Sequence, residues 1–183
     1  MMRQLFGLMV MAVVLAAAAL WLGLRSYRVF THEEQVAVVS CRSAPQGAPY
    51  RFVMQVSQMQ EGRPGPAESF PMAGDQWSIG GDILKWKPWV TFLSVPTLYK
   101  LTRLNSRYWN AADEKGGRRT VYDLNGGSSE AWRFLYRYGA KFPLVDAVYG
   151  SSAYIPLQAG GRWGVYVSLT GFLIRPLLGE SKG

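Results

Sequence analysis

The chain has 183 residues, of which 49% are apolar, 14% aromatic and only 17% charged. This composition excludes an intrinsically disordered chain, and the length allows one domain with a substantial core that needs no disulfide or structural metal. The formal net charge of +8 favours an anionic surface, either membrane lipid or nucleic acid. Nucleic acid would require a denser basic stripe, so we expect lipid rather than nucleic acid; a generally solvated basic surface is the alternative.

The run from Leu5 to Leu24 contains no charged or strongly polar side chain. As a helix with a rise of about 1.5 Å per residue, it would cover the roughly 30 Å of bilayer hydrocarbon. We therefore predict a membrane anchor over residues 1–28 and a separate domain over residues 29–183. A cleaved signal peptide is the main alternative, because Ala17 to Ala19 offer a small-x-small site, and a buried helix of a soluble protein is a second.

Four residues at the end of this run have the chemistry of membrane-interface anchors. They are Trp21, Arg25, Tyr27 and Arg28. Basic residues lie on both sides of the run, so the positive-inside rule barely discriminates between the two orientations. Because large domains are exported largely regardless of nearby charge, we expect a single-pass protein of the bacterial inner membrane with a periplasmic domain.

The domain begins with strand patterns. Gln35 to Ser43 is apolar on both faces, and Tyr50 to Ser57 alternates apolar and polar residues, which together predict a β-hairpin. Glu61 to Asp75 contains three prolines and three glycines, so we expect a surface loop there. Trp77 to Val95 predicts strands interrupted by a turn at Gly80-Gly81, with Pro88 at an edge or a bulge.

The second half of the chain contains one clear helical pattern. Ser128 or Ser129 is a candidate N-cap, and four residues follow at helical spacing, namely Trp132, Leu135, Tyr136 and Gly139. The other expected elements are an ambiguous stretch from Pro96 to Trp109, an exposed loop from Asp113 to Arg119, a short strand from Thr120 to Leu124, and long strands from Leu144 to Leu157 and from Arg162 to Pro176. The predicted class is α+β: a transmembrane helix, then a β-rich, mostly antiparallel domain with one short helix.

Histidine and cysteine occur once each in the chain, as His32 and Cys41. A zinc site built from nitrogen and sulfur ligands therefore has too few residues, and a catalytic triad would have to use the one histidine near the proposed membrane surface. We expect no metal and no cofactor. Cys41 is interpreted as a small buried side chain in a strand.

Three aspartates lie beside apolar strand residues, where an unpaired carboxylate is costly. They are Asp82, Asp123 and Asp146. Two of them in one cleft could serve as acid and base in hydrolytic or glycosyl chemistry. The alternative is that they form turns or pair with nearby arginines, for which the candidates are Arg103, Arg107 and Arg175.

The segment Lys85-Trp86-Lys87-Pro88-Trp89 combines basic and aromatic residues. Strand alternation would place Lys85 and Lys87 on one face and Trp86 on the other. Such an edge, with Trp89, could rest against lipid headgroups or bind a protein partner. Tryptophan packed in the core with lysines facing water is the alternative.

Three stretches resemble an uncharacterised bacterial family whose members are sometimes labelled cation or multidrug efflux pump. They are Asp82 to Trp109 (DILKWKPWVTFLSVPTLYKLTRLNSRYW), Val145 to Pro156 (VDAVYGSSAYIP) and Trp163 to Arg175 (WGVYVSLTGFLIR). The resemblance supplies no catalytic residues. One apolar span without an intramembrane charge offers no transport pathway, so the label would imply an accessory role beside a transporter.

We therefore expect a membrane-tethered accessory or binding protein of the cell envelope, with membrane lipid and a membrane protein as its partners. Two alternatives stay open. One is a carboxylate-dependent enzyme acting on a glycan or lipid-linked substrate, and the other is a β-walled carrier of an apolar ligand. The sequence does not decide whether the protein is an enzyme, although it favours a non-enzymatic protein.

Overall fold

The structure is a computed structural model that describes residues 2–127 and 129–177. It begins with α1, one continuous helix over Met2–Phe30. The part from Phe6 to Phe30 is long and apolar enough to cross a membrane, and none of its most apolar window is buried against the domain. The predicted helix is confirmed, and it continues two residues beyond the expected boundary at residue 28.

The domain consists of strands and a few short helices. The strands are β1 (Glu34–Ser43), β2 (Phe52–Gln60), β3 (Arg63–Met72), β4 (Gln76–Trp86), β5 (Leu98–Arg107), β6 (Val121–Asp123), β7 (Val145–Pro156), β8 (Arg162–Ser168) and β9 (Gly171–Pro176). The helices are α2 (Pro88–Phe92), α3 (Ala111–Gly116), α4 (Glu130–Tyr138) and a 3-10 turn at Gly139–Lys141. The described chain thus has three short α-helices where one was expected.

These strands form two antiparallel sheets. The first has the order β3-β2-β1-β8-β9 and the second the order β6-β5-β4-β7. The hairpin predicted from the first two strand patterns is confirmed, with Val39 opposite Val56 across β1 and β2. The α+β class with mostly antiparallel strands is confirmed as well.

The core lies between the inner faces of the two sheets. Trp77 of β4 meets Trp163 of β8 edge to face, with the ring centroids 5.6 Å apart. Around this pair the fully buried side chains include Met54, Met72, Ile79, Ile83, Leu101 and Leu104. Cys41 is buried in β1 as expected, and burial raises the pKa of its thiol to about 11.

The loop predicted from Glu61 to Asp75 is wrong, because most of it is strand β3. β3 is the edge strand of its sheet, so Pro64 and Pro71 need not donate a hydrogen bond to a second neighbour. Proline is therefore compatible with an edge strand. Treating the prolines as loop markers led to the wrong prediction for this stretch.

The turn predicted at Gly80-Gly81 is also wrong. β4 runs unbroken through both residues, and a shift in its register with β5 at this point makes a β-bulge. Gly80 lies opposite Arg103 and Gly81 opposite Leu101, so Thr102 is skipped. A Cβ on Gly81 would collide with the carbonyl oxygen of Lys100, so the bulge requires glycine there.

Other differences concern the ends of elements. Pro88 begins α2, where its missing N–H costs nothing, instead of marking an edge strand. The ambiguous stretch before Trp109 is β5. Part of the loop expected from Asp113 to Arg119 is α3, whose N-cap Asn110 accepts a hydrogen bond from the Ala112 N–H.

The last predicted strand is in fact a hairpin of β8 and β9, because the chain turns at Leu169-Thr170. The helix predicted before it is confirmed as α4. Ser129 occupies its N-cap position without a side-chain capping hydrogen bond, and Ser128 lies outside the described residues.

The bulge gives a test of the fold. We expect Gly81→Ala to lower the free energy of unfolding by about 1–3 kcal/mol, because the added methyl group must displace the β5 backbone. Gly116→Ala is the matched control: it meets no atom within 4 Å and should be neutral or slightly stabilising. Thermal unfolding of the detergent-solubilised chain, followed by near-ultraviolet circular dichroism, measures both. Equal melting temperatures for the two variants would contradict the bulge.

Candidate functional site

The outer face of the four-stranded sheet contains an open cleft of about 610 Å³. We call it the polar cleft. It is lined by Gly80, Gly81, Asp82, Thr102, Arg103, Asn105, Asp123, Gly126, Gly127, Arg133, Gly150, Ser151 and Ser152. The depression exists because glycine and serine residues of β4 and β7 carry little or no side chain. The charged side chains surround it.

Helix α4 forms one wall of the polar cleft. The 3-10 turn after α4 sits on β7, where a Cβ on Gly139 would lie 2.8 Å from a methyl group of Val148. Leu84 and Val145 are buried near this contact. The helix therefore covers one end of the outer sheet face and leaves the adjoining polar end open.

Asp82 is the most buried charged group of the polar cleft, with 7% of its surface exposed. The Tyr136 hydroxyl of α4 donates a hydrogen bond to its Oδ1 atom over 3.0 Å. Burial, this hydrogen bond and the charge of Asp82 together raise the pKa of Tyr136, so the phenol stays protonated and remains a donor. The contact joins the helix to the sheet.

Asp123 is exposed on β6, directly opposite Arg103 of β5. Arg133 reaches the polar cleft from α4, and its guanidinium lies 3.5 Å from the carboxylate of Glu130 one turn earlier in the helix. The cleft thus presents carboxylates and guanidinium groups side by side. This set can hydrogen-bond hydroxyl, amide and charged groups of a ligand.

The three predicted aspartates separate into two groups. Asp82 and Asp123 line the polar cleft together, whereas Asp146 forms an ion pair with Lys85 at 3.0 Å. Asp146 is not among the residues that line the polar cleft.

The arginines proposed as partners of the aspartates differ in their contacts. Arg175 pairs with Glu33 at 2.7 Å. Arg107 donates to the side-chain oxygen of Gln76 at 2.7 Å. Arg103, the third, lines the polar cleft with two of the aspartates. Asp146 pairs with Lys85 instead, a partner that the sequence pattern did not indicate.

The Lys-Trp-Lys-Pro-Trp segment spans the end of β4 and the start of α2. Lys85 is held by Asp146, and the Trp86 indole N–H donates to the carbonyl oxygen of Pro96 over 2.8 Å. Lys87 is half-buried, and its backbone N–H donates to the Leu144 carbonyl oxygen. Trp89 is 54% exposed, so it is the aromatic side chain of this segment that is available for a contact.

The predicted interface anchors surround the junction of α1 with the domain. The Arg25 guanidinium lies 5.6 Å from the ring centroid of Trp21 and 5.4 Å from that of Phe92 in α2. Arg25 therefore joins the helix to the domain. Tyr27, in contrast, is exposed.

A second, smaller cleft of about 320 Å³ lies at this junction. Arg28 and His32 line one side of it, and Ser94, Pro96 and Thr97 line the other. The sequence placed Arg28 near the membrane, but nothing in the pattern indicated that the Ser94–Thr97 stretch would face it. Likewise, the helical spacing of α4 gave no sign that Arg133 and Tyr136 would reach the sheet.

In the described parts of the chain, no group of three or more histidine, cysteine, aspartate or glutamate side chains is arranged to hold a metal ion. Comparisons with models of protein families, with curated protein sequences and with solved structures find no match to this chain.

The Tyr136–Asp82 contact gives a second prediction. We expect Tyr136→Phe to lower the free energy of unfolding by about 1.5 kcal/mol at neutral pH, because a hydrogen bond to a charged group is lost. Tyr154→Phe is the control: this ring is similarly exposed and keeps its contact with Arg107.

The pH dependence follows from the raised pKa of Tyr136. A proton bound more tightly in the folded state contributes stability that is fully present below the unfolded tyrosine pKa of about 10 and is lost as pH rises towards the folded value. Chemical unfolding at a series of pH values should therefore show a steeper alkaline loss in the wild type than in Tyr136→Phe. Identical slopes would contradict the contact.

Proposed function

We propose that this chain is a single-pass protein of the bacterial inner membrane whose sheet domain lies on the periplasmic side and acts as an accessory or binding module. The observation that carries the proposal is the unburied apolar surface of α1. Leu8, Leu15 and Leu20 are each 63–65% exposed. Burying each side chain fully is worth about 1.5–3 kcal/mol, and the bilayer is the medium that buries all of them at once.

The polar cleft is the binding site that this proposal uses. It is open to solvent, and its charged and amide groups come from three strands of the sheet (β4, β5 and β6) and from α4. A ligand that fits must hydrogen-bond groups of both charges, so we propose a polar segment of a neighbouring membrane protein. The further proposal that this neighbour is a transport protein rests on the family resemblance.

The interior favours this surface role over that of an apolar-ligand carrier. Trp77, Trp163 and the aliphatic side chains around them occupy the space between the sheets. A carrier for a lipid or another apolar molecule would need an apolar cavity there of a few hundred Å³.

A carboxylate-dependent enzyme is the second candidate, because Asp82 and Asp123 line the same cleft. A buried carboxyl group and an exposed one differ in solvation, which is how paired carboxylates divide the roles of acid and base. The substrate would be a glycan or a lipid-linked glycan of the envelope. Such chemistry requires carboxyl groups about 5–9.5 Å apart across the scissile bond.

The proposed location gives a third prediction. Alkaline phosphatase fused after residue 183 should be active in intact bacterial cells, and green fluorescent protein fused there should be dark, because the first folds in the periplasm and the second in the cytoplasm. The full-length chain should stay with membranes after alkaline carbonate washing. The opposite reporter pattern would reverse the orientation, and release by carbonate would contradict the membrane span.

The proposed role gives a fourth prediction. A photo-crosslinking residue in place of Arg103, which is exposed in the polar cleft, should capture one defined membrane protein in native membranes. The same residue in place of exposed Lys115 on α3 is the control and should capture little. Adding Asp123→Lys should reduce the Arg103 crosslink several-fold, because it reverses a charge in the cleft.

The same experiment separates the two candidates. If no crosslink depends on the cleft, and purified chain cleaves envelope glycan with a rate that Asp123→Asn lowers by a factor of about 100 or more, the enzyme replaces the binding module. A cleft-dependent crosslink without glycan turnover supports the binding module.

A further inference from the structure

The surface that surrounds the end of α1 carries a second inference. We call the stretch Pro88–Leu98, which comprises α2, the loop after it and the first residue of β5, the docking segment. It contacts α1 where the guanidinium of Arg25 lies within 5.6 Å of the ring centroids of both Trp21 and Phe92. The helix and the docking segment are therefore neighbours at a fixed point along α1.

That point is at the edge of the hydrocarbon layer. From Phe6 to Leu24 the helix rises about 28 Å, which matches the roughly 30 Å thickness of bilayer hydrocarbon. Arg25 is the first charged residue after this run, so it lies at the boundary with the headgroups. Since Phe92 is within 5.4 Å of Arg25, the docking segment is at the same depth.

Apart from Ser94, the side chains that the docking segment exposes are apolar. Trp89 is 54% exposed, Leu93 61% and Leu98 47%, and Val95 is exposed as well. Four exposed apolar residues within eleven positions form a patch that a water-facing surface rarely keeps. Tryptophan and leucine beside a lysine have the chemistry of the bilayer interface, and Lys87 precedes the segment.

Hydrogen bonds hold the docking segment in this exposed position. The Trp86 indole N–H donates to the Pro96 carbonyl oxygen over 2.8 Å, and the Leu93 and Ser94 N–H groups close the end of α2. Ser94 has a φ of +65°, which turns the chain sharply after the helix. Leu93 is therefore kept outward by the fold and is not on a loose loop.

We propose that the docking segment lies in the headgroup layer of the bilayer that α1 crosses, with Trp89 and Leu93 at the boundary with the acyl chains. The domain is then held against the membrane at two points, α1 and the docking segment, and cannot rotate freely about a tether. This inference rests on the proposed membrane span and commits to lipid, not a second copy of the chain, as the occupant of the patch.

Site-directed fluorescence on the full-length chain tests the proposal. The chain is reconstituted in vesicles of phosphatidylethanolamine and phosphatidylglycerol after labelling a single added cysteine with an environment-sensitive maleimide dye. The sites are Leu93→Cys in the docking segment, Trp109→Cys beyond the far end of β5, and Val14→Cys within α1, all 60–64% exposed. Cys41 is buried, and the unsubstituted chain measures its residual labelling.

The expected result is strong quenching of the Leu93 dye by lipids with a shallow nitroxide and weak quenching by aqueous iodide. The Trp109 dye should show the reverse pattern, because a ten-residue strand separates it from Leu98 by about 30 Å. Quenching of the Val14 dye by lipids with a deep nitroxide, with no shallow-nitroxide quenching at Leu93, would overturn the docking proposal and leave the membrane span intact. Absence of deep-nitroxide quenching at Val14 would overturn the span itself.

Protection of the Leu93 dye from both quenchers would also overturn the proposal, because it would indicate protein in contact with the patch. A second variant guards against effects of the dye at Leu93. With the dye at Leu98→Cys, we expect Leu93→Glu to reduce lipid quenching several-fold, whereas Trp109→Glu, the matched exposed site, leaves it unchanged. Equal quenching in the two variants would contradict insertion of Leu93.

Discussion

The domain cannot cover the apolar surface of α1, and every proposal about this chain depends on that constraint. The helix makes its domain contact near its C-terminal end, at Arg25, while the apolar run before it stays uncovered. At roughly 25 cal/mol for each Å² of apolar surface removed from water, leaving such a helix in solvent would cost far more than the 5–15 kcal/mol by which domains are stable. The proposed bilayer span would remove this cost, and the proposed position of the docking segment follows from that span.

A β-bulge between β4 and β5 shapes the candidate site. Opposite Gly80-Gly81 of β4, the extra residue Thr102 of β5 interrupts the register of the two middle strands of the sheet. Small residues at the bulge and on β7 leave a depression on the outer sheet face, and Asp82 follows directly after the bulge. Tyr136 then joins α4 to this carboxylate. Bulges recur beside functional sites for this reason: they redirect a side chain without ending the strand.

Sequence patterns predicted the parts of the fold that depend on periodicity and failed where a residue's role depends on its neighbours. The apolar run of α1, the alternation of β2 and the spacing of α4 each repeat over several turns or residue pairs. The prolines of β3 are compatible with a strand because β3 is an edge. The presence of Asp82 and Asp123 in one cleft, and the ion pair of Asp146 with Lys85, depend on strand order, which no local pattern contains.

The candidate site and the proposed membrane contact are parts of one rigid connection. α2 follows β4 directly, and the Lys87 N–H donates to the Leu144 carbonyl oxygen just before β7. Asp82 lies four residues before the end of β4, so about 13 Å of strand separate it from the start of α2. If the docking segment lies at the headgroups, the polar cleft faces its ligand close to the membrane surface. At that distance from the membrane surface, the polar cleft can reach a membrane-embedded partner or a substrate attached to lipid. The depth of the docking segment in the bilayer therefore determines which kind of molecule the cleft can bind.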